Sequence, residues 1–243
     1  MVMIVTLTDF GHSGPYLGQM HAAIDLHAPG VRIIDLFSDA PVHNPRASAY
    51  LLASYYAIFP AGTVFLCVVD PGVGSFQHQP VCLEADGRWF VGPDNGLFNT
   101  LKVHHPDYRQ WTLQHATEAL SASFHGRDLY APAAAAIAIG EHVHGTEGPA
   151  LPPTDWPADL PELIYIDHFG NAMTGLRAGT VDVHARLQIG EHGYSHARTF
   201  ADVAIGQGFW YVNANGLVEI AINQGRTADC HGLAIGQVVQ VLT

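Results

Sequence analysis

The stretch VVDPGVGSFQHQ, residues 68–79, runs from an apolar segment into Asp70, then Pro71, Gly72 and Gly74. Pro71 stiffens the exit from the segment, and the glycines let backbone N–H groups approach a bound group. The glycines resemble those of a phosphate loop, but no Lys follows them and an acid stands at the mouth, so the phosphate-loop pattern is absent. Asp9, in TDFG, likewise follows an apolar run and precedes a glycine. A carboxylate there can accept two hydrogen bonds from a ribose diol, as acids near the ends of dinucleotide-binding strands do. PDNG adds Asp94 and Asn95, and FHGRD adds His125, Arg127 and Asp128. Imidazole titrates near neutrality, which makes His125 the side chain best suited to proton transfer. Arg127 and Asp128 can equally pair with each other or cap the Ala-rich helix that follows. An Asp or Asn before Gly also makes ordinary turns and caps. Four such clusters gathered at one sheet edge exceed what turns alone require.

In the second half, IDHFGNAMT sets Asp167, His168 and Asn171 around Phe169. An amide beside an exposed ring could read a purine edge while the ring stacks on it; an ordinary hairpin turn at Gly170-Asn171 is the alternative. Periodicity sends Phe200, Trp210 and Tyr211 into a core. Of the sixteen histidines, only His104–His105 and His142–His144 are close pairs, and no H-E-x-x-H occurs. These four read as surface residues, and no metal site is expected.

The elements that must carry these residues alternate. VMIVTLT is a continuous apolar strand, then come a helix from about Pro15 to His27, strand VRIIDLF, helix PRASAYLLASYYAIF and strand TVFLCVVD. Shorter strands follow near 80–92 and 108–113, then a helix from about Leu129 to Ile139. This order predicts an α/β N-terminal domain over residues 1–148, a mostly parallel sheet with flanking helices. Five prolines between Gly148 and Leu163 mark a linker, residues 149–162. Over 163–243, LIYID, VDVHARLQIG, FWYVNANGLVEIAI and QVVQVL read as strands joined by Gly-rich turns, predicting a small antiparallel β-barrel.

Composition narrows the partners. The 243 residues are 48% apolar and 13% charged, with a net charge of −12. Such a chain folds around a sizeable core, and its surface repels nucleic acid and anionic membranes. Three cysteines without metal spacing, and a start without a basic leader, point to reduced thiols in the cytoplasm.

Six stretches in order resemble the S-adenosyl-L-methionine (SAM) hydroxide adenosyltransferase family, relatives of the fluorinating and chlorinating enzymes. They are LTDFG…PYLGQM, VVDPGVG, VGPDNGLF, FHGRDLYAPAAA, YIDHFGNAMT and YVNANGLVEIAIN. The resemblance implies an α/β domain, a β-barrel domain and a homotrimer with sites between subunits. It implies hydrolysis of SAM at C5′ by water, giving adenosine and methionine without metal or cofactor. Asp70 would hold the attacking water, with His125 and the residue at position 77 beside it. Asp9 would bind the ribose, Asn171 the adenine edge, Phe169 and Phe200 the ring, and Asp167 the methionine ammonium; Asn95 and Asn215 complete the implied substrate contacts. The halogenating relatives have Tyr-Pro where this chain has Asp70-Pro71, and an anionic Asp would repel a halide.

Three positions depart from the family pattern. Gln77 stands where an Arg is usual, and an amide cannot stabilise hydroxide by charge; His78 and Arg127 are possible substitutes. Ala214 replaces a Ser after Asn213, and Gly14 stands where an Asp is common. The first departure supports an alternative, a non-catalytic adenosine- or SAM-binding protein. A third reading is a metal-dependent hydrolase built on Asp9, Asp70, Asp94 and His125.

Overall fold

The computed structural model describes residues 2–75, 77–114, 120–148 and 154–242. Contacts divide the chain into two compact units, one of residues 1–49 and 56–156, the other of residues 50–55 and 157–243.

The first unit contains β1 (Met3–Thr8), α1 (Tyr16–His27), β2 (Arg32–Phe37), the start of α2 (Pro45–Tyr55), β3 (Val64–Val68), β4 (Pro80–Ala85), β5 (Arg88–Pro93), α3 (Asn99–His104), β6 (Arg109–Leu113), α4 (Ala131–Ala138) and β7 (Gly145–Gly148). Its seven strands form one sheet in the order β2-β1-β3-β5-β4-β6-β7. β2, β1, β3 and β5 are parallel; β4, β6 and β7 pair antiparallel. The sheet is therefore mixed, which corrects the mostly parallel expectation. The reason is local. Asp86 and Gly87 both take positive φ, 48° and 68°, and connect β4 to β5 in two residues. Such a turn closes a hairpin and cannot make a parallel crossover.

The parallel half behaves as its sequence requires. β3 is buried at all five positions, as a central strand covered on both faces must be. Ile4, Leu66, Met20, Ile24 and Ala134 meet in one core that joins β1, β3, α1 and α4. Asn44 caps α2 by accepting the N–H of Ala47 at 3.0 Å, and Pro45 occupies the first helical position, where no N–H is needed. β1 has β2 on one side and β3 on the other: the first crossover runs from β1 to β2, and the second returns from β2 past β1 to β3, so the strand order reverses between β1 and β3. That is the topological switch point, beyond which parallel sheets bind ligands. The helix expected from Leu129 starts at Ala131, after a π-helical turn over Gly126–Tyr130.

The second unit holds β8 (Leu160–Ile166), β9 (Ala172–Arg177), β10 (Arg186–Ile189), β11 (His192–Tyr194), β12 (Gly208–Val212), β13 (Leu217–Ile222), α5 (Thr227–His231) and β14 (Gln240–Leu242). These strands make two antiparallel sheets, β12-β13-β9-β8 and β11-β10-β14. Neither sheet closes on itself, which corrects the barrel expectation. The register of β8 on β9 slips twice, and isolated bridges such as Glu162–Val238 and His196–Trp210 join strand edges outside the two ladders. Trp210 is fully buried with Leu187, Tyr194, Val218 and Ile220, and its indole N–H donates to the Ala185 carbonyl at 3.0 Å. Of the expected linker, Pro149, Pro152 and Pro153 lie outside the described residues, while Pro161 is inside β8.

Candidate active site

In the first unit the acids gather because the strands do. Thr8 pairs with Val68 across β1 and β3, so Asp9 and Asp70 leave the same end of neighbouring parallel strands. Asp9, Asp70 and His125 line one cavity of about 300 Å³, with Phe10, Tyr16 and Phe124 forming its aromatic wall. The three rings meet at centroid distances of 5.4–5.9 Å. A Cβ at Gly126 would come 3.2 Å from Cζ of Phe10, close enough that the ring would have to give by a few tenths of an ångström. Asp70 and His125 also line a second cavity of about 470 Å³, with Gly72, Gly74, His78, Thr112 and Tyr130.

The turn holds its own acid. The Gly72 N–H donates to Oδ1 of Asp70 at 3.1 Å. Gly74 sits at φ +79°, and a Cβ there would fall 2.3 Å from the Ala122 carbonyl oxygen, so this position requires glycine. Burial pushes the Asp70 carboxyl above its ordinary range; the Gly72 N–H and positive charge on His125 and His78 pull it back, and Asp9 adds to the rise. Asp70 is thus a carboxylate of increased basicity, facing two imidazoles.

Other sequence candidates lie elsewhere. Nδ2 of Asn95 donates to the Val69 carbonyl at 2.8 Å and its Oδ1 accepts the Leu97 N–H at 3.3 Å, so Asn95 fixes the backbone just before Asp70. Asp94 is paired with the buried Lys102 at 2.8 Å and accepts from Gln110 at 3.1 Å, which removes it from any shared cluster with Asp9 and Asp70. Among the described residues no group of three or more His, Cys, Asp or Glu is placed to hold a metal. Arg127 is bound to Asp128 and to Oε1 of Gln19 at 2.8 Å, the pairing the sequence allowed. Gln77 is exposed, its N–H donates to Oγ of Ser75 at 3.4 Å, and its side chain lines an adjoining cavity with His78, Gln79 and Asp94.

The second unit carries a separate cavity of about 790 Å³, lined by Asp167, Phe169, Asn171, Phe200, Tyr211 and Arg226 among others. The Asp167–Asn171 segment is a hairpin turn between β8 and β9, with Gly170 at φ +82°. The turn is built by its own candidates: N and Nδ2 of Asn171 donate to the Asp167 carboxylate at 2.8 and 3.1 Å. Phe169 stands 71% exposed, an unusual state for a large ring and one that offers a face for stacking. Phe200 packs edge-on against Phe209 and Tyr211 at the cavity wall, not in the core. Tyr211 joins it there because it neighbours Trp210 on β12, and strand side chains alternate. Asn215 lies outside that lining; its N–H donates to Oδ1 of Asn213 at 3.0 Å.

Sequence reasoning missed Glu219. It is 2% exposed and accepts from Tyr211 Oη at 2.6 Å and from Asn213 Nδ2 at 2.8 Å. Burial raises its pKa, against those two donors. LVEIAI is apolar at every position but Glu219 and is buried throughout, so a lone acid inside a wholly apolar strand was the available signal. Asp167 and Arg226 both line this cavity, with Arg226 paired to Asp229.

Residues 4–147 match the SAM hydroxide adenosyltransferase N-terminal domain and residues 161–240 match its C-terminal domain. The chain belongs to the SAM hydroxide adenosyltransferase family. Within it, a relative from Thermus thermophilus named (R)-S-adenosyl-L-methionine hydrolase is 36% identical, over 97% of this chain and 98% of the relative. A relative of the same name from Salinispora arenicola is 31% identical over 96% and 95%. A solved structure of an uncharacterized conserved protein from Thermotoga maritima superposes with a TM-score of 0.89 at 26% identity, covering 99% of this chain and 100% of that one. A conserved hypothetical protein from Thermus thermophilus superposes at 0.80 with 34% identity, over the full length of both.

Proposed function

We propose that this protein hydrolyses S-adenosyl-L-methionine at C5′, giving adenosine and L-methionine. The observation that carries the reading is the single cavity at the β1/β3 switch point that Asp9, Asp70 and His125 share. Water bound by Asp70 attacks C5′ opposite the sulfonium; the C–O bond forms as the C–S bond breaks, and sulfur leaves as a neutral thioether. A thioether needs no proton to depart, so the chain has only to align the water and accept its proton. Alignment lowers such barriers by about 7–11 kcal/mol, and a placed base adds roughly 10²–10⁴-fold. Asp70, made more basic by burial, and His125 share the proton. Asp9 holds the ribose hydroxyls.

The second unit's cavity, contributed by a neighbouring subunit of the proposed homotrimer, takes the rest of the substrate. Phe169 and Phe200 flank adenine, Asn171 reads its edge, and Asp167 meets the ammonium group. Asn95 and Asn215 act by holding the loops that present these groups, and Gln77 by hydrogen bonding within the loop that follows Asp70. The names of the relatives point to the (R) configuration at sulfur as the preferred epimer. A homotrimer, with neither metal nor cofactor, completes the proposal; the mass in solution and full activity in excess chelator test those points.

Purified protein incubated with each SAM epimer and chromatographed for adenosine and methionine tests the reaction. Product in equal amounts supports it; tight binding of intact SAM without product would favour the binding-only reading. The acid and imidazole brought to one cavity by separate loops favour catalysis over binding alone.

A further inference from the structure

Each turnover by the proposed hydrolysis releases one proton inside a half-enclosed cavity, and that proton must reach solvent before the next cycle. Asp70 and His125 are half-buried, and Tyr130 behind them is buried. His78 lines the same cavity and is exposed. Gly72 brings ring and carboxylate to one space: a Cβ at position 72 would lie 3.2 Å from Cδ2 of His78 and 3.6 Å from Oδ1 of Asp70. With no side chain there, nothing from residue 72 separates them. We propose that His78 is the proton-relay residue of this site, carrying to bulk water the proton that Asp70 and His125 take from the nucleophile. The proposal rests on the hydrolase reading above.

The surroundings support the role. His78 faces Asp70 and His125 in its own cavity and Asp94 in the adjoining one, where Lys102 already pairs with Asp94. Gln77 and Gln79 on either side do not titrate. Arg127 is held by Asp128 and Gln19 and stays protonated. Charge on His78 favours the ionised form of Asp70, so the two groups sense each other. An imidazole exchanges protons near neutrality in either direction, as a relay must. In the balanced step, water oxygen bonds to C5′, the C–S pair goes to sulfur, and the displaced proton passes from Asp70 and His125 to His78 and then to solvent.

The test is His78→Gln assayed at low buffer concentration, then with added imidazole. The expected result is a tenfold or larger fall in kcat, KM within twofold, and recovery as imidazole rises. Unchanged kcat overturns the relay, and so does a fall that imidazole does not restore, since a merely structural residue is not rescued by a proton carrier. Wild-type protein runs beside it; if that yields no adenosine, the hydrolase reading itself fails.

Discussion

The backbone N–H of Gly72 donates to Oδ1 of Asp70, so the acid is held by the turn that it introduces. Held this way, Asp70 keeps one oxygen occupied and its carboxylate fixed beyond β3, in the cavity shared with His125.

The raised pKa of Asp70 sets the acid side of the rate profile. Activity needs the carboxylate, so kcat is expected to fall tenfold per pH unit below a pKa that lies above the ordinary Asp value of about 3.9. Asp70→Asn is expected to lower kcat by roughly 10²–10⁴-fold at neutral pH. Stability moves the other way. The folded-state pKa exceeds the unfolded one, so the native chain binds this proton more tightly, and the stability it contributes is present at low pH and lost as pH rises through the folded pKa. Asp70→Asn should therefore raise Tm at pH 8 relative to its effect at pH 4, measured by calorimetry.

Asn95→Ala strips the Val69 carbonyl of the amide that satisfies it, next to a fully buried residue. An unsatisfied buried acceptor costs about 1–3 kcal/mol. Thermal melts should show that loss, and kcat should fall while KM stays nearly constant, because Asn95 acts on Asp70 and not on bound substrate.

Gly74→Ala places a side chain at φ +79° and drives its Cβ onto the Ala122 carbonyl. Left-handed backbone alone costs about 1–2 kcal/mol for a non-glycine residue. The turn must shift, and turnover should drop more than Tm, a split that kinetics and calorimetry on the same preparation resolve.

Phe169→Ala removes an exposed ring whose loss leaves the core intact. Stacking of an aromatic on a base contributes about 1–3 kcal/mol, so titration with adenosine should show weakening of roughly 5- to 150-fold with Tm unchanged. Unaltered affinity would take Phe169 out of the purine site.

Much of this was legible in the chain. Continuous apolar runs gave β1 and β3, and the acids after them could be placed at strand ends because a parallel strand buried on both faces rarely admits a charged side chain in its interior. The mixed sheet was harder to see, since a buried antiparallel strand such as β4 reads like a parallel one; only the Asp86-Gly87 pair discloses the hairpin. β7, with the sequence GTEG, has no strand propensity of its own and exists by pairing with β6. β9 was hidden behind the Asp167–Asn171 turn that precedes it. α3 is a six-residue helix, too short to show a period. In the site, Asp70 and His125 could be named from their neighbours. Which of Gln77 and His78 turns into the Asp70 cavity depends on the Gly72 approach, a three-dimensional fact that spacing does not encode. Glu219 lay inside an apolar strand, where its role becomes visible only with Tyr211 and Asn213 around it.

The central claim is that water held by Asp70 displaces the sulfonium at C5′. The most direct test is turnover of SAM in ¹⁸O-enriched water followed by mass spectrometry of both products. The account predicts one ¹⁸O atom in adenosine, at its 5′ oxygen, none in methionine, and labelled adenosine forming roughly 10²–10⁴-fold more slowly in Asp70→Asn. Adenosine without the label, label in methionine, or adenosine formed at the wild-type rate in Asp70→Asn would contradict it.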